Sequence, residues 1–488
     1  ARRGRYDERA MSVLSTDTRG AQPPTWSRAR AVHSPLVRPR RRTALALRLT
    51  QWLALHVALA FAMRAFGWVA TVHALGCLAA GLMLLRRPRA VRGAMPVLIV
   101  YIAACELLWR GSAAPLLFYE FGKYSIILLL GLALLQDRRQ QRRLDPLPAL
   151  YFALLTPSIL VMPIFDRQAI AFNLSGPLVL AVAMLYFRRR PIEPPQVRRI
   201  LLAVLGPCAG LAALATFTSL NATAEQFYQH GKVGSGGFPP NQMSSMLGLG
   251  ALAAFLLIVR TSRRARITQL LLLAVLVWLL GQSALTLSRG GFWTAVAGGL
   301  AATFFLLQQR DARSMVALRL ALVAALGALL VYPFIDGLTG GTLGQRFQSF
   351  DTTGRADIMR GDLLAFEEQP LLGVGPGQAS VYHARVFRES SAHTEYTRLL
   401  AEHGLFGAAA LLLLLSFCVR RALQRPTVVD QATVAALTVW SLLFMVHAAM
   451  RLAAPGLAFG LAAARLVQPR PSSPPAPAPR SNARPSAR

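Results

Sequence analysis

The chain has 488 residues, of which 54% are hydrophobic and only 15% charged, whereas soluble chains average about a quarter charged; an ordinary soluble enzyme is excluded. The formal net charge of +32 does not mark a nucleic-acid partner. Its arginines gather in short connectors such as 86–92, 137–145 and 187–199, the positive-inside pattern of cytoplasmic loops rather than one basic face.

In chain order, residues 1–42 are Arg/Pro-rich and read as a disordered basic cytoplasmic segment, with Met11 as an alternative start. Apolar blocks then recur at roughly 18–22 residues, the length that crosses ~30 Å of hydrocarbon. Eleven fall in 43–336, near 43–63, 66–85, 93–109, 115–135, 147–164, 168–187, 199–219, 241–260, 267–286, 290–309 and 315–336. Three more, near 402–419, 431–450 and 452–467, fill 401–468, and the last two fit either separate spans or a re-entrant pair. The fold class is therefore all-α: a polytopic transmembrane helical bundle of 12–14 spans. With the N-terminus inside, the six even-numbered spans from the second to the twelfth all end in arginine-bearing connectors on the cytoplasmic side. Both termini are then cytoplasmic. The opposite side receives 220–240 and one large loop, 337–400, long enough to carry function and to hold short helices. The tail 469–488 is Pro/Ala/Ser-rich and reads as a second disordered segment.

Charges inside or beside these spans need a reason, because ionisable groups are costly there. Glu106 and Arg110 lie four apart, and Glu120 and Lys123 three apart. Each pair fits self-neutralisation on one helical face, and Lys123 also fits substrate binding. Arg289, in "LTLSRGGFW" (285–293), falls on the side where positive-inside statistics disfavour arginine. It fits either a fork for phosphate or an interfacial side chain snorkelling to headgroups. The two glycines after it permit close approach of a backbone or a ligand. In the large loop, 358–370 has amphipathic helical spacing with Ile358, Leu363, Leu364 and Phe366 on the expected buried side, and Pro370 stops it. "GVGPG" (373–377) reads as a turn. Arg355 and Arg360 can join Arg289 in a basic pocket. His383, His393 and His403 recur ten apart, so they do not share a helical face and do not suggest a metal site. His393, with Glu395 two residues on, fits a general base near neutral pH or a solvated surface histidine. The four cysteines lie in apolar stretches without metal-ligand spacing and read as small buried hydrophobes. No nucleophile elbow, Walker loop or dinucleotide fingerprint occurs.

Three of these stretches, in this order, resemble the O-antigen ligase/polymerase superfamily: "SRGG" (288–291), "GRADIMRGDLLAFEEQPLLGVGPG" (354–377) and "HTEYTRLLAEHGLFG" (393–407). The resemblance covers about 200–420; Met359 replaces an aromatic and Thr394 an asparagine common in relatives. It implies a metal-independent, cofactor-free inverting glycosyltransferase in the bacterial inner membrane with its active site facing the periplasm. Such an enzyme moves O-antigen polysaccharide from undecaprenyl pyrophosphate to lipid A-core, completing lipopolysaccharide. Arg289, Arg355 and His393 take the catalytic places, with Arg360, Glu395 and Lys123 expected at the substrate. An O-antigen polymerase and a protein O-oligosaccharyltransferase share these motifs. A lipid-linked glycan flippase or transporter is the reading from another class, and it predicts half-to-half repeats that are not evident.

Overall fold

The computed structural model describes residues 38–87, 93–136, 146–188, 190–229, 232–308, 310–349, 354–386, 393–423 and 427–467. Within them the chain is almost entirely helical. Its one small sheet is a two-stranded parallel ladder pairing Pro191 with Arg465 and Ile192 with Leu466. The two terminal segments expected to be disordered lie outside the described residues, except that 38–42 begin the helix Arg38–Ala65.

Nine helices among the described residues are long and apolar enough to cross a membrane. The expected 12–14 spans exceed this because several apolar blocks form shorter pieces. Block 147–164 is a helix, Pro146–Ala153, and a separate 3-10 turn, Pro157–Val161, started by a proline. Block 452–467 yields only Ala454–Ala463. Blocks 93–109 and 115–135 yield Met95–Gly111 and Phe121–Gln136.

Helix Pro240–Arg260 is the axis of the bundle: 89% of its apolar window is buried, against 6% for Leu320–Leu338 at the periphery. In lipid, packing rather than water exclusion holds helices together, so close approach through small residues matters. Gly248 of the axial helix shows it: a Cβ there would lie 2.9 Å from the Gly291 carbonyl and the Ala295 methyl of helix Arg289–Leu306. That helix in turn packs along Val428–His447. The buried core around them contains Met246, Leu252, Ala436, Trp440 and Phe444.

Segment 337–400 holds three short helices, Thr342–Gln348, Arg355–Glu368 and Ala379–Val386. The buried stripe of Arg355–Glu368 is Ile358, Gly361, Asp362 and Ala365. Leu363, expected inside, is 43% exposed. Of the four residues expected inside only Ile358 is buried, Leu364 and Phe366 being half-buried, and the stripe turns on small residues and one acid. The "GVGPG" turn docks on a break in the next long helix, Glu395–Leu423, where Gly404 takes φ 58°, ψ −140°. The break frees backbone groups, and the turn satisfies them. Val374 N–H donates to Ala401 O at 2.9 Å, Gly375 N–H to Glu402 O at 3.0 Å, and Leu405 N–H to Pro370 O at 2.8 Å.

Candidate functional site

Helix Pro240–Arg260 starts on a double proline, with proline at its first position where no N–H is needed. Asn241 is therefore held at the mouth of the helix. Ser288 is the N-cap of Arg289–Leu306, so Arg289 is that helix's first residue, and Arg355 opens Arg355–Glu368 after a left-handed Gly354. These three helix beginnings meet. The Asn241 Oδ1 accepts from Ser288 Oγ at 2.8 Å and from Arg355 Nη2 at 3.2 Å. Arg289 Nη1 donates to the Ser349 carbonyl, just after helix Thr342–Gln348. Helix N-termini carry unpaired N–H groups and partial positive charge, so this convergence, with two guanidiniums, favours an anion. Leu287, immediately before the Ser288–Arg289 turn, has φ 56°, a conformation that costs a bulky L-residue of order 1–3 kcal/mol and tends to persist at functional sites.

The two glycines after Arg289 do admit close neighbours. A Cβ on Gly290 would lie 2.6 Å from the His447 ring, and one on Gly291 would lie 2.4 Å from Ser244 Oγ and the Ser245 backbone nitrogen. His447, the last residue of its helix, hydrogen-bonds Ser245 Oγ through Nε2 at 2.8 Å and meets the Leu443 carbonyl through Nδ1 at 2.9 Å. Arg355 and His393 both lie within electrostatic range of His447. Gly290, next to Arg289, abuts His447, and Arg355 and His393 act on it electrostatically; sequence reasoning passed this histidine over.

The other expected substrate residues go elsewhere. Glu395 is fully buried and bound to Arg398 at 2.6 Å, and it accepts the Met450 N–H at 3.0 Å. Arg398 also pairs with Glu402 at 2.7 Å. Lys123 is buried and paired with Glu120 at 2.7 Å, while Arg110 bridges Glu106 at 2.5 Å and Glu120 at 3.3 Å. The Glu106 carboxylate accepts the Ala453 N–H at 2.8 Å. Lys123 and Glu395 therefore belong to two ion clusters that hold the turn 448–453. Arg360 is exposed and makes no hydrogen bond or ion pair among the described residues.

The three loop histidines divide in the same way. His383 is buried and bonded to Asp362 at 2.6 Å, and His403 Nδ1 meets Ser158 Oγ at 2.6 Å, while His393 is only partly covered. Asp362 spends its second oxygen on Thr397 Oγ1 at 2.5 Å, which ties the Arg355 helix to the helix that follows His393. At the exposed end of the same helix, the Tyr382 hydroxyl and then Arg385 hold the Glu368 carboxyl below its ordinary value. The bond to that carboxylate raises Tyr382.

An apolar crevice of about 920 Å³ runs between the helices, lined by Phe292 and Trp293 of the Arg289 helix, by Phe347, and by Phe255, Leu273 and Val323. Asn241 and His447 are the site residues the sequence did not disclose, and the anchoring part of Asp362 was not legible in it. The traceable signals are a polar amide directly after a double proline, and a histidine closing an apolar span.

Residues 276–412 match the family model described as O-antigen ligase, a stretch that runs from the helix before Arg289 to the helix after His393. No curated protein matches the chain.

Proposed function

From a chain whose residues 276–412 match the O-antigen ligase family model, we propose an O-antigen ligase: a glycosyltransferase that moves polysaccharide from undecaprenyl pyrophosphate to lipid A-core at the periplasmic face of the inner membrane. The family implies glycosyl transfer on lipid-linked glycans, and the helices make this a multi-pass membrane protein. The donor, the acceptor and the stereochemistry are our reading.

One observation carries it: the Asn241 carboxamide draws Ser288, beside Arg289, and Arg355 to the same oxygen where three helices begin. A diphosphate fits such a place, since two guanidiniums and the helix ends stabilise charge that grows as the leaving group departs. The apolar crevice lined by Phe292 and Phe347 suits a polyprenyl tail attached to that diphosphate. In the proposed step the acceptor hydroxyl attacks the anomeric carbon in line. Its C–O bond forms as the bond to the diphosphate breaks, the electron pair leaves with the diphosphate, and His393 takes the hydroxyl proton. Attack from the far face inverts the anomeric centre. The activated leaving group supplies the driving force, so the step calls for neither nucleotide nor metal.

The test is a deletion strain complemented with wild type or His393→Ala. The deletion is expected to lose the O-antigen ladder from lipopolysaccharide while lipid-linked polymer accumulates, and His393→Ala is expected to leave that defect unrepaired while still binding donor. A single repeat unit left on the core would identify a polymerase instead, and unchanged lipopolysaccharide would overturn both readings.

A further inference from the structure

Asn241 has a chemical asymmetry that assigns it more than a structural part. A guanidinium only donates hydrogen bonds, so the carboxamide atom facing Arg355 at 3.2 Å must be the carbonyl oxygen. The Ser288 hydroxyl donates to the same atom at 2.8 Å. The orientation of the amide is therefore fixed by its partners, and its nitrogen, with two N–H donors, occupies the other branch. That nitrogen makes no hydrogen bond among the described residues, and the side chain is only partly covered. It stands at the second position of an apolar axial helix, where a connector residue would face no such demand.

We propose that Asn241 is a donor-binding residue: its oxygen sets the Ser288–Arg289 turn and Arg355 at a fixed spacing, and its N–H groups donate to the diphosphate of the lipid-linked sugar. The proposal rests on the glycosyltransferase reading above. The two halves of the amide separate by substitution. Asn241→Asp keeps an acceptor for Ser288 and Arg355, so the arginines stay aligned. It removes both donors and sets a negative charge beside the phosphates, competing with them for Arg355. Asn241→Ser removes both amide N–H donors without adding charge, leaving a single hydroxyl on a shorter side chain.

The experiment measures transfer by the purified full chain in detergent, varying lipid diphosphate-linked donor and lipid A-core acceptor separately. Asn241→Asp is expected to raise the donor KM by about tenfold or more while the acceptor KM stays within about threefold, and Asn241→Ser to raise the donor KM by a smaller factor. Thermal melting of each variant shows whether it is folded. A residue acting only in packing would lower the melting temperature and kcat without this selective loss of donor. Unchanged donor KM in both folded variants, or equal rises for donor and acceptor, would overturn the role of Asn241 and leave the enzyme's function standing. A wild-type chain that transfers nothing from a lipid diphosphate would overturn both.

Discussion

Replacing Asp362 by alanine should undock the loop without touching any of the three residues placed at the reacting groups. Asp362 is fully buried, and each of its oxygens has one partner, His383 Nε2 at 2.6 Å and Thr397 Oγ1 at 2.5 Å. Hydrogen bonds to a charged group contribute about 1.5–3 kcal/mol each, which sums to roughly 3–6 kcal/mol. Rotation of the threonine hydroxyl and entry of water would trim that to about 3–4 kcal/mol. At about 1.4 kcal/mol per factor of ten, the equilibrium for docking the Arg355 helix then falls on the order of 100-fold or more. Arg355 lies seven residues earlier on that helix, about 10 Å along its axis at 1.5 Å per residue, so undocking removes it from Asn241. Asp362→Asn retains one acceptor and should lose only about tenfold. Limited proteolysis reads the docking and glycan transfer reads the consequence, and the two should fall together, alanine further than asparagine. A Asp362→Ala protein as protease-resistant and as active as wild type would refute the reasoning.

Three further outcomes are expected. Gly290→Ala and Gly291→Ala place a methyl 2.6 Å from the His447 ring and 2.4 Å from Ser244 and Ser245. The helices must separate, at a cost of about 1–3 kcal/mol, visible as a lower melting temperature; unchanged melting would mean the helices yield freely. Arg289→Lys and Arg355→Lys keep charge but lose the planar fork, and transfer should fall at least about tenfold in each; full activity in either would show that a point charge suffices there. Arg398→Ala leaves Glu395 and Glu402 buried without their cation, a loss of about 3–5 kcal/mol. Poor folded yield, partly rescued by the triple variant that also carries Glu395→Gln and Glu402→Gln, is expected, and a normal yield of the single variant would argue that the cluster is dispensable.

The fold class was legible because apolar blocks of spanning length and arginine-rich connectors are local signals. The number of long helices was less so, since Pro157 divides the block 147–164 and the turn at 448–453 shortens the last one. Arg289, Arg355 and His393 could be nominated from cost and chemistry; in the structure Asn241 links Ser288, beside Arg289, to Arg355. Glu395 and Lys123 were nominated on the same ground, a charge near lipid, yet the structure pairs them with Arg398 and Glu120. Residue type does not distinguish a charge that binds a ligand from one that binds a neighbour. The anchoring role of Asp362 was not legible for a related reason: its partners lie 21 and 35 positions away and become neighbours only after the loop docks.

Those two ion clusters bear on how the site is held. A buried ion pair seldom adds net stability over an apolar substitute, because desolvation offsets the attraction. Here the carboxylates do something an apolar side chain cannot. Glu395 accepts the Met450 N–H, Glu106 accepts the Ala453 N–H, and Arg110 donates to the Arg451 carbonyl at 2.9 Å. Together they satisfy the backbone of a turn buried between helices, where an unpaired N–H would be costly. That turn includes Ala449 at φ 44° and begins one residue after His447. Fixing the turn fixes the end of the Val428–His447 helix, and so the ring against which Gly290 and the Arg289 turn are seated. The clusters thus act on the Arg289 turn through backbone geometry, which gives these charges near lipid a structural reason.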